Sequence, residues 1–173
     1  MTLLRLEQDE HLMATSSKTP TIKEIEKRLD SLVQTVQRAE GCKLIDGEWK
    51  SKCVTCGRVL PIAGKNCMQG GHFIPRGCRS TRWIAANVHP QCSRCNGFLN
   101  GNYIMYSRYI MRKPAEYEGL MNLFDEHKKG IAPKLTVIEK YALYNYWLKK
   151  GRELEEKTSL KLFPKSWDYV NIK

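Results

Sequence analysis

The sequence predicts an α+β fold in which a strand–strand–helix core lies between N-terminal and C-terminal helices. The first observation is a pair of short extended runs, residues 69–74 and 82–88, which are typical of a hairpin with a long loop. The second is a pair of C-x-x-C motifs, at 53–56 and 92–95, that bracket these runs. The third is the periodicity of the flanks, where apolar residues recur at steps of three and four.

The chain has 173 residues, which is enough for one domain with short extensions. We expect a single domain at 21–159, with its core at 53–112 and helical flanks at 21–41 and 114–159. A flexible arm precedes this domain and an irregular tail follows it, at residues 1–20 and 160–173.

Two capping boxes mark the beginnings of the long helices. Thr21 is followed three residues later by Glu24, and Thr136 is followed in the same way by Glu139. The first helix ends before Gly41 and carries its apolar side chains on one face: Ile22, Ile25, Leu29, Leu32, Val33 and Val36. The aromatic side chains of the last helix are expected in the core rather than stacked on nucleic-acid bases.

The elements between these helices are short. Asp46-Gly47 predicts a turn between two extended pieces. A helix that carries Asn96 follows the second C-x-x-C motif and is broken at Gly101. Two further helical runs follow, and Pro114 begins the second of them.

The charge balance indicates a polyanionic partner. The chain has 29 Lys and Arg residues against 18 acids, a formal net charge of +11. DNA or another nucleic acid is the first candidate, and the alternative is a basic protein that has no such partner. No apolar run reaches the roughly 18 residues of a membrane-spanning helix, and acids replace the apolar stretch of a signal peptide. We therefore expect a cytoplasmic protein, in the host cytoplasm if a phage encodes it, with no membrane partner.

The paired cysteines are candidate zinc ligands. Cys53, Cys56, Cys92 and Cys95 have the spacing of a structural site, in which each C-x-x-C turn supplies two thiolates to one tetrahedral ion. With seven cysteines, an odd number, and four of them assigned to zinc, a disulfide framework is not expected. We therefore predict one structural zinc ion.

Three arginines lie in the loop between the two predicted strands. Arg76, Arg79 and Arg82 accompany Gly and Ser there, a composition that is poor core material and typical of phosphate contacts. A solvated basic loop is equally consistent with each arginine taken singly.

His72 ends the first predicted strand, where an imidazole that titrates near neutral pH can activate water as a general base. Asn87, near the end of the second strand, can orient His72 through its side-chain carbonyl. Asn96 directly follows a zinc cysteine, so its carbonyl is rigidly placed to hold a divalent cation. Taken singly, these three are also consistent with turn and helix-cap residues. His89 is consistent with catalysis, with support of the site, or with filling of the zinc turn.

The motifs G-H-F, N-V-H-P-Q-C-S-R-C-N and G-N, in this order, resemble those of HNH nucleases in their four-cysteine zinc form. They look more similar to the phage lambda NinG (Rap) recombination endonucleases, over about residues 22–155. Phage T4 endonuclease VII, a Holliday-junction resolvase, is a more distant likeness that shares C-x-x-C-N. The resemblance implies a ββα-metal nuclease that cuts branched recombination intermediates such as D-loops and Holliday junctions.

By this resemblance His72 is the base and Asn96 is a ligand of a catalytic Mg²⁺ or Mn²⁺ ion. Many HNH nucleases have an aspartate ligand immediately before the base, where this sequence has Gly71. Either His89, Asn102 or another group completes the cation site, or the cation is held mainly by DNA phosphate.

Three functions are consistent with the sequence. The first is an endonuclease for branched DNA or junctions of single and double strands, which His72, Asn87 and Asn96 favour. The second is a non-catalytic zinc-dependent DNA-binding module, which Gly71 favours. The third is a sequence-specific HNH endonuclease, although 173 residues leave little room for a separate recognition domain. Two symmetric cuts in a four-way junction would further favour a homodimer.

Overall fold

A computed structural model describes residues 19–171 of the chain. This range contains helices and short strands, which confirms a mixed α and β class: α1 Ile22–Arg38, β1 Lys43–Ile45, β2 Glu48–Lys52, β3 Val59–Pro61, β4 Gln69–His72, β5 Val88–Gln91, α2 Tyr103–Ile110, α3 Pro114–Lys128 and α4 Val137–Thr158. Nearly all of the predicted N-terminal arm lies outside the described residues. Within them, every helix is too short or too polar to cross a membrane.

The strands form two separate antiparallel sheets. The first has the order β1-β2-β3, and the second consists of β4 and β5. Asp46 and Gly47 join β1 to β2 with φ angles of 51° and 76°, the left-handed backbone that a two-residue hairpin turn requires. In the second sheet Gly71 pairs with His89.

Two predicted elements of the core differ from the observed ones. The sequence predicts the second strand of the hairpin at 82–88, whereas β5 lies at Val88–Gln91. Residues 82–87 form turns instead. The N–H of Asn87 donates to the carbonyl of Ile84 at 3.0 Å and so does not pair with the neighbouring strand. The helix predicted after the second C-x-x-C motif is a single π-type turn, Arg94–Phe98, and Gly101 with a φ of +89° separates it from α2.

Helices α1 and α4 build the principal core against the β4–β5 hairpin. Both predicted capping boxes are present, since the hydroxyls of Thr21 and Thr136 accept hydrogen bonds from the third residue of each helix. The apolar face of α1 is buried, and the α4 aromatics Tyr144 and Trp147 lie in this core as predicted, whereas Tyr146 of the same helix is 52% exposed. The indole N–H of Trp147 also donates to the carbonyl of Trp83 at 3.2 Å, which ties α4 to the loop between the hairpin strands.

Strand β4 packs so closely on α1 that only glycine fits at position 70. A Cβ built on Gly70 would lie 2.6 Å from the carbonyl oxygen of Gln34. Side chains two residues apart in a strand share a face. The close contact of Gly70 with α1 therefore also fixes the distance between the His72 side chain and this helix.

Replacing Gly70 by Ala should therefore destabilise the protein by about 1–3 kcal/mol, the usual cost of an overpacked core. Gly77→Ala is the matched control, because nothing lies within 4 Å of a Cβ at that position. Urea unfolding of both variants measures the difference. Equal stability of the two variants would contradict the close approach of β4 to α1.

Candidate functional site

The four paired cysteines come together in space. Their Sγ atoms all lie within 4.8 Å of one another, and those of Cys56 and Cys92 are 3.7 Å apart. A tetrahedral zinc ion with Zn–S bonds of about 2.3 Å would separate its thiolates by about 3.8 Å, so the cluster fits one zinc ion. Within residues 19–171 this is the only group of three or more His, Cys, Asp or Glu side chains placed to hold a metal.

Each cysteine pair is presented by a hydrogen-bonded turn. The N–H of Gly57 donates to the carbonyl of Cys53 at 2.9 Å, and Gly57 has a φ of +78°. The N–H of Asn96 donates to the carbonyl of Cys92 at 2.9 Å. Both turns thereby direct two sulfurs toward one point.

The protonation of the cluster is set by burial and by hydrogen bonds. Burial opposes ionisation of the Cys53 thiol, but bonds from Thr55 and from backbone amides outweigh it and lower the Cys53 pKa to about 6. Burial raises the pKa of Cys56 to about 12 and also raises that of Cys92. Cys56 and Cys92 therefore do not ionise readily without a cation, and a divalent metal would supply the charge that allows them to deprotonate.

His72 is held in one tautomer by the backbone. Its Nε2 lies 3.0 Å from the carbonyl oxygen of Arg82. A carbonyl can only accept, so Nε2 carries the proton and Nδ1 carries the lone pair. Nδ1 has no hydrogen-bond partner among the described residues. Burial, reinforced by the charge of Arg76, lowers the pKa of His72 and keeps the imidazole neutral.

Asn87 acts on the loop rather than directly on His72. Its Oδ1 accepts from the N–H of Ile74 at 2.7 Å, and its Nδ2 donates to the carbonyls of Ile74 and Thr81, both at 3.0 Å. The sequence predicts a bond from the Asn87 carbonyl to His72, and the structure corrects this. Asn87 fastens the loop that carries the Arg82 carbonyl, and that carbonyl orients His72.

His89 lies in the interior, with 1% of its surface exposed. Its Nδ1 is 3.2 Å from the hydroxyl of Tyr106, which donates to the carbonyl of Gly71 at 2.7 Å. Because that hydroxyl uses its proton on Gly71, His89 is the donor in the first bond. Burial lowers the pKa of His89 to about 4, so it is neutral. This placement favours support of β4 over a catalytic role.

The two asparagines proposed as cation ligands have different surroundings. Asn96 donates to the side-chain oxygen of Gln69 at 2.8 Å, which leaves its own Oδ1 available. Asn102 directs its Nδ2 at the sulfur of Cys95, 3.6 Å away, and so belongs to the cysteine cluster. Mg²⁺ is normally held through one or two carboxylates, but residues 49–115 contain no Asp or Glu. These residues alone therefore do not form a complete Mg²⁺ or Mn²⁺ site.

A side chain at the position before His72 would clash with Gln91. A Cβ built on Gly71 would lie 2.0 Å from Oε1 of Gln91. The Gln91 side chain is buried, and its Nε2 donates to the carbonyl of Gly101 at 2.8 Å. Its Oε1 has no hydrogen-bond partner within the described part of the chain. Any side chain at position 71 would have to displace this amide.

The net positive charge of the protein is concentrated around this site. Residues 49–115 hold eleven Lys and Arg residues and no acid, so the rest of the chain has eighteen of each and is neutral. Arg76 and Arg79 are exposed. Arg82 instead forms a two-pronged pair with Asp30 of α1 and lies over the Trp83 ring. The sequence treats the three arginines alike, whereas the structure leaves two of them facing solvent.

The fold and the site define an α+β protein with a four-cysteine cluster that fits one zinc ion and a strongly basic central segment. The family model described as Bacteriophage Lambda NinG protein matches residues 5–156. The chain therefore belongs to the NinG family. No curated protein and no solved structure matches the chain, and the resemblance to HNH nucleases rests on the motifs alone.

The purified protein should contain about one zinc ion per chain, and Cys53→Ser should lose both the metal and the cooperative unfolding transition. The reason is that a structural zinc ion contributes about 10–16 kcal/mol of folding energy in small zinc domains. Cys67→Ser is the control, since Cys67 lies outside the cluster, and Cys42 and Cys78 should be equally dispensable. Elemental analysis and thermal unfolding are the measurements. A folded, metal-free Cys53→Ser protein would show that the metal is not structural.

Proposed function

We propose that this protein is an endonuclease that hydrolyses phosphodiester bonds in branched recombination DNA, such as D-loops and Holliday junctions. The state of His72 carries the proposal, because its proton is fixed on Nε2 by a backbone carbonyl and its Nδ1 is left as a free base. Membership of a bacteriophage family named after NinG supports a role in phage recombination. Two symmetric cuts need two active sites, so two copies would act on one junction.

In the proposed reaction, Nδ1 of His72 takes a proton from a water molecule as its oxygen attacks the phosphorus. The bond from phosphorus to a sugar oxygen breaks, and that oxygen leaves with a proton from solvent. Arg76 and Arg79 hold the neighbouring phosphates. Asn96 is the protein ligand that we propose for a Mg²⁺ or Mn²⁺ ion brought with the DNA phosphate, and Asn102 is the second candidate. A divalent ion there would stabilise charge on the leaving oxygen.

The second candidate function is a zinc-dependent DNA-binding module without cleavage. The amide of Gln91 favours it, since it fills the space in which a carboxylate ligand at position 71 would stand. The same basic surface would then hold branched DNA for another protein.

His72→Ala should lose cleavage while keeping zinc, fold and DNA affinity, because the imidazole only moves a proton. Removal of a general base typically lowers the rate by about 10²–10⁴. The assay is cleavage of a labelled four-way junction, a flap and a linear duplex, with Mg²⁺, with Mn²⁺ and without added divalent ion. His127→Ala is the control, a histidine on α3 that lies near Ser80 rather than Arg82.

The wild-type rate should also stay constant from neutral pH upward and fall only in acid. Its base must be unprotonated, and burial keeps the pKa of His72 below its ordinary 6.5. Cleavage by His72→Ala at the wild-type rate would show that another group is the base. Tight binding of junctions with no cleavage under any of these conditions would establish the binding module instead.

DNA affinity should fall steeply with salt, and the double variant Arg76→Ala/Arg79→Ala should make that dependence shallower. Each neutralised phosphate contributes about 0.9 to the slope of log affinity against log salt, so the slope should drop by about two. Lys149→Ala/Lys165→Ala is the control, because it removes the same charge outside the acid-free segment. Equal slopes for both double variants would exclude the loop arginines from the DNA interface.

A further inference from the structure

An exposed apolar surface follows directly after the last cysteine of the metal centre. Phe98 is 83% exposed and Ile104 is 75% exposed, and Tyr103 has 45% of its surface open to solvent. The rest of this surface, which we call the 98–111 surface, comprises exposed Leu99, Met105 and Met111. Six large exposed apolar side chains within the fourteen residues 98–111 indicate an interaction site.

The 98–111 surface is not the packing face of its helix. Helix α2 already buries Tyr106 and Ile110 against the protein. Ile104, Arg108 and Met111 follow one another at steps of four and three, which places them together on the opposite, exposed face. Nothing in residues 19–171 covers that face.

Tyr103 joins the 98–111 surface to an aromatic cluster beside the hairpin. The Tyr103 ring meets the Phe73 ring edge-on, with centroids 6.3 Å apart, and Phe73 is the first residue after strand β4. Tyr103 also lies beside Gly101, where a Cβ would be 3.5 Å from the ring. The 98–111 surface is therefore continuous with the ring contacts that Phe73 makes with Tyr103 and Tyr106.

The charges on the 98–111 surface fit a polyanion. Arg94, Arg108 and Arg112 are exposed among the apolar side chains, and no acid occurs there. A cleft lined by Arg58, Arg94 and Leu99 extends the surface to the cysteine cluster. Two copies that met through this face would bring arginine against arginine without a carboxylate between them, whereas nucleic-acid phosphates would pair with every one.

We propose that the 98–111 surface binds unpaired bases at the branch point of DNA, with the rings of Phe98 and Tyr103 stacking on them and the arginines holding the flanking phosphates. Every base has an apolar face, so such a surface recognises an open strand without reading its sequence. The inference deepens the proposed function and rests on it for DNA as the partner. It names the feature of branched DNA that the protein selects.

The test compares binding of the full chain, in its zinc-loaded form without added Mg²⁺ or Mn²⁺, to a paired duplex and to a forked duplex of the same strand lengths. Phe98→Ala should weaken binding to the fork by about 5- to 150-fold and leave duplex binding unchanged. Phe98→Leu should lose as much, because it stays apolar but cannot stack, and Phe98→Trp should restore the affinity. Tyr146→Ala is the control, an aromatic residue of α4 that is 52% exposed. A 2-aminopurine base at the fork should be quenched by wild type and not by Phe98→Ala.

Full affinity of Phe98→Leu for the fork, or equal losses on both DNAs, would overturn the stacking surface. Cleavage that depends on His72 would then still stand, because it is measured separately. A change from dimer to monomer in Phe98→Ala, seen by light scattering, would assign the surface to a second copy and also overturn the inference. Failure of wild type to bind either DNA would overturn this inference and the proposed function together.

Discussion

The meeting of four sulfurs within 4.8 Å is the constraint on which the hairpin of the candidate site depends. Strands β4 and β5 have only four residues each, and an isolated two-stranded hairpin is marginally stable in water. Strand β5 runs directly into Cys92, and its Pro90 carbonyl accepts from the N–H of Val54 at 2.9 Å. The cysteine cluster therefore closes one end of the hairpin, while the close contact of Gly70 with α1 holds its face.

The orientation of His72 depends in turn on how firmly the Arg82 carbonyl is held. Asn87 fastens the loop from one side. From the other side, the carboxylate of Asp30 on α1 accepts hydrogen bonds from the Arg82 side chain and, at 2.8 Å, from the indole of Trp83. The residues on both sides of the Arg82 carbonyl are thus held by hydrogen bonds to α1 and to Asn87. The His72 imidazole is therefore positioned through the backbone and not through a carboxylate partner.

Local signals in the sequence are sufficient for helices α1 to α4 and for the cysteine cluster. Capping boxes, apolar periodicity and C-x-x-C spacing each act within a few residues, and each is found in the structure. The predicted second strand at 82–88 is wrong, because Trp83 and Ile84 have side chains typical of strands but lie in turns. The side-chain amide of Asn87 bonds to Ile74 and Thr81 across the loop and stabilises these turns. The burial of His89 likewise depends on Tyr106, which comes from a different element. No periodicity within one segment carries such information.

Gly71 and the absence of Asp and Glu from residues 49–115 have the same consequence, which is that this segment offers no carboxylate to a cation or to a base. A side chain at position 71 would meet the buried Oε1 of Gln91, and a carboxylate there would add an acid to a segment, residues 49–115, that has eleven basic residues and none of its own. In the proposed complex the DNA phosphate would supply the anion that this segment lacks, and the recruitment of a divalent ion would be a property of that complex. The difference between a nuclease and a binding module then lies in whether a cation and a water reach Nδ1 of His72 once the phosphate is bound. The part of the site that the protein builds alone, a neutral base in one tautomer on a cysteine-anchored hairpin, is common to both.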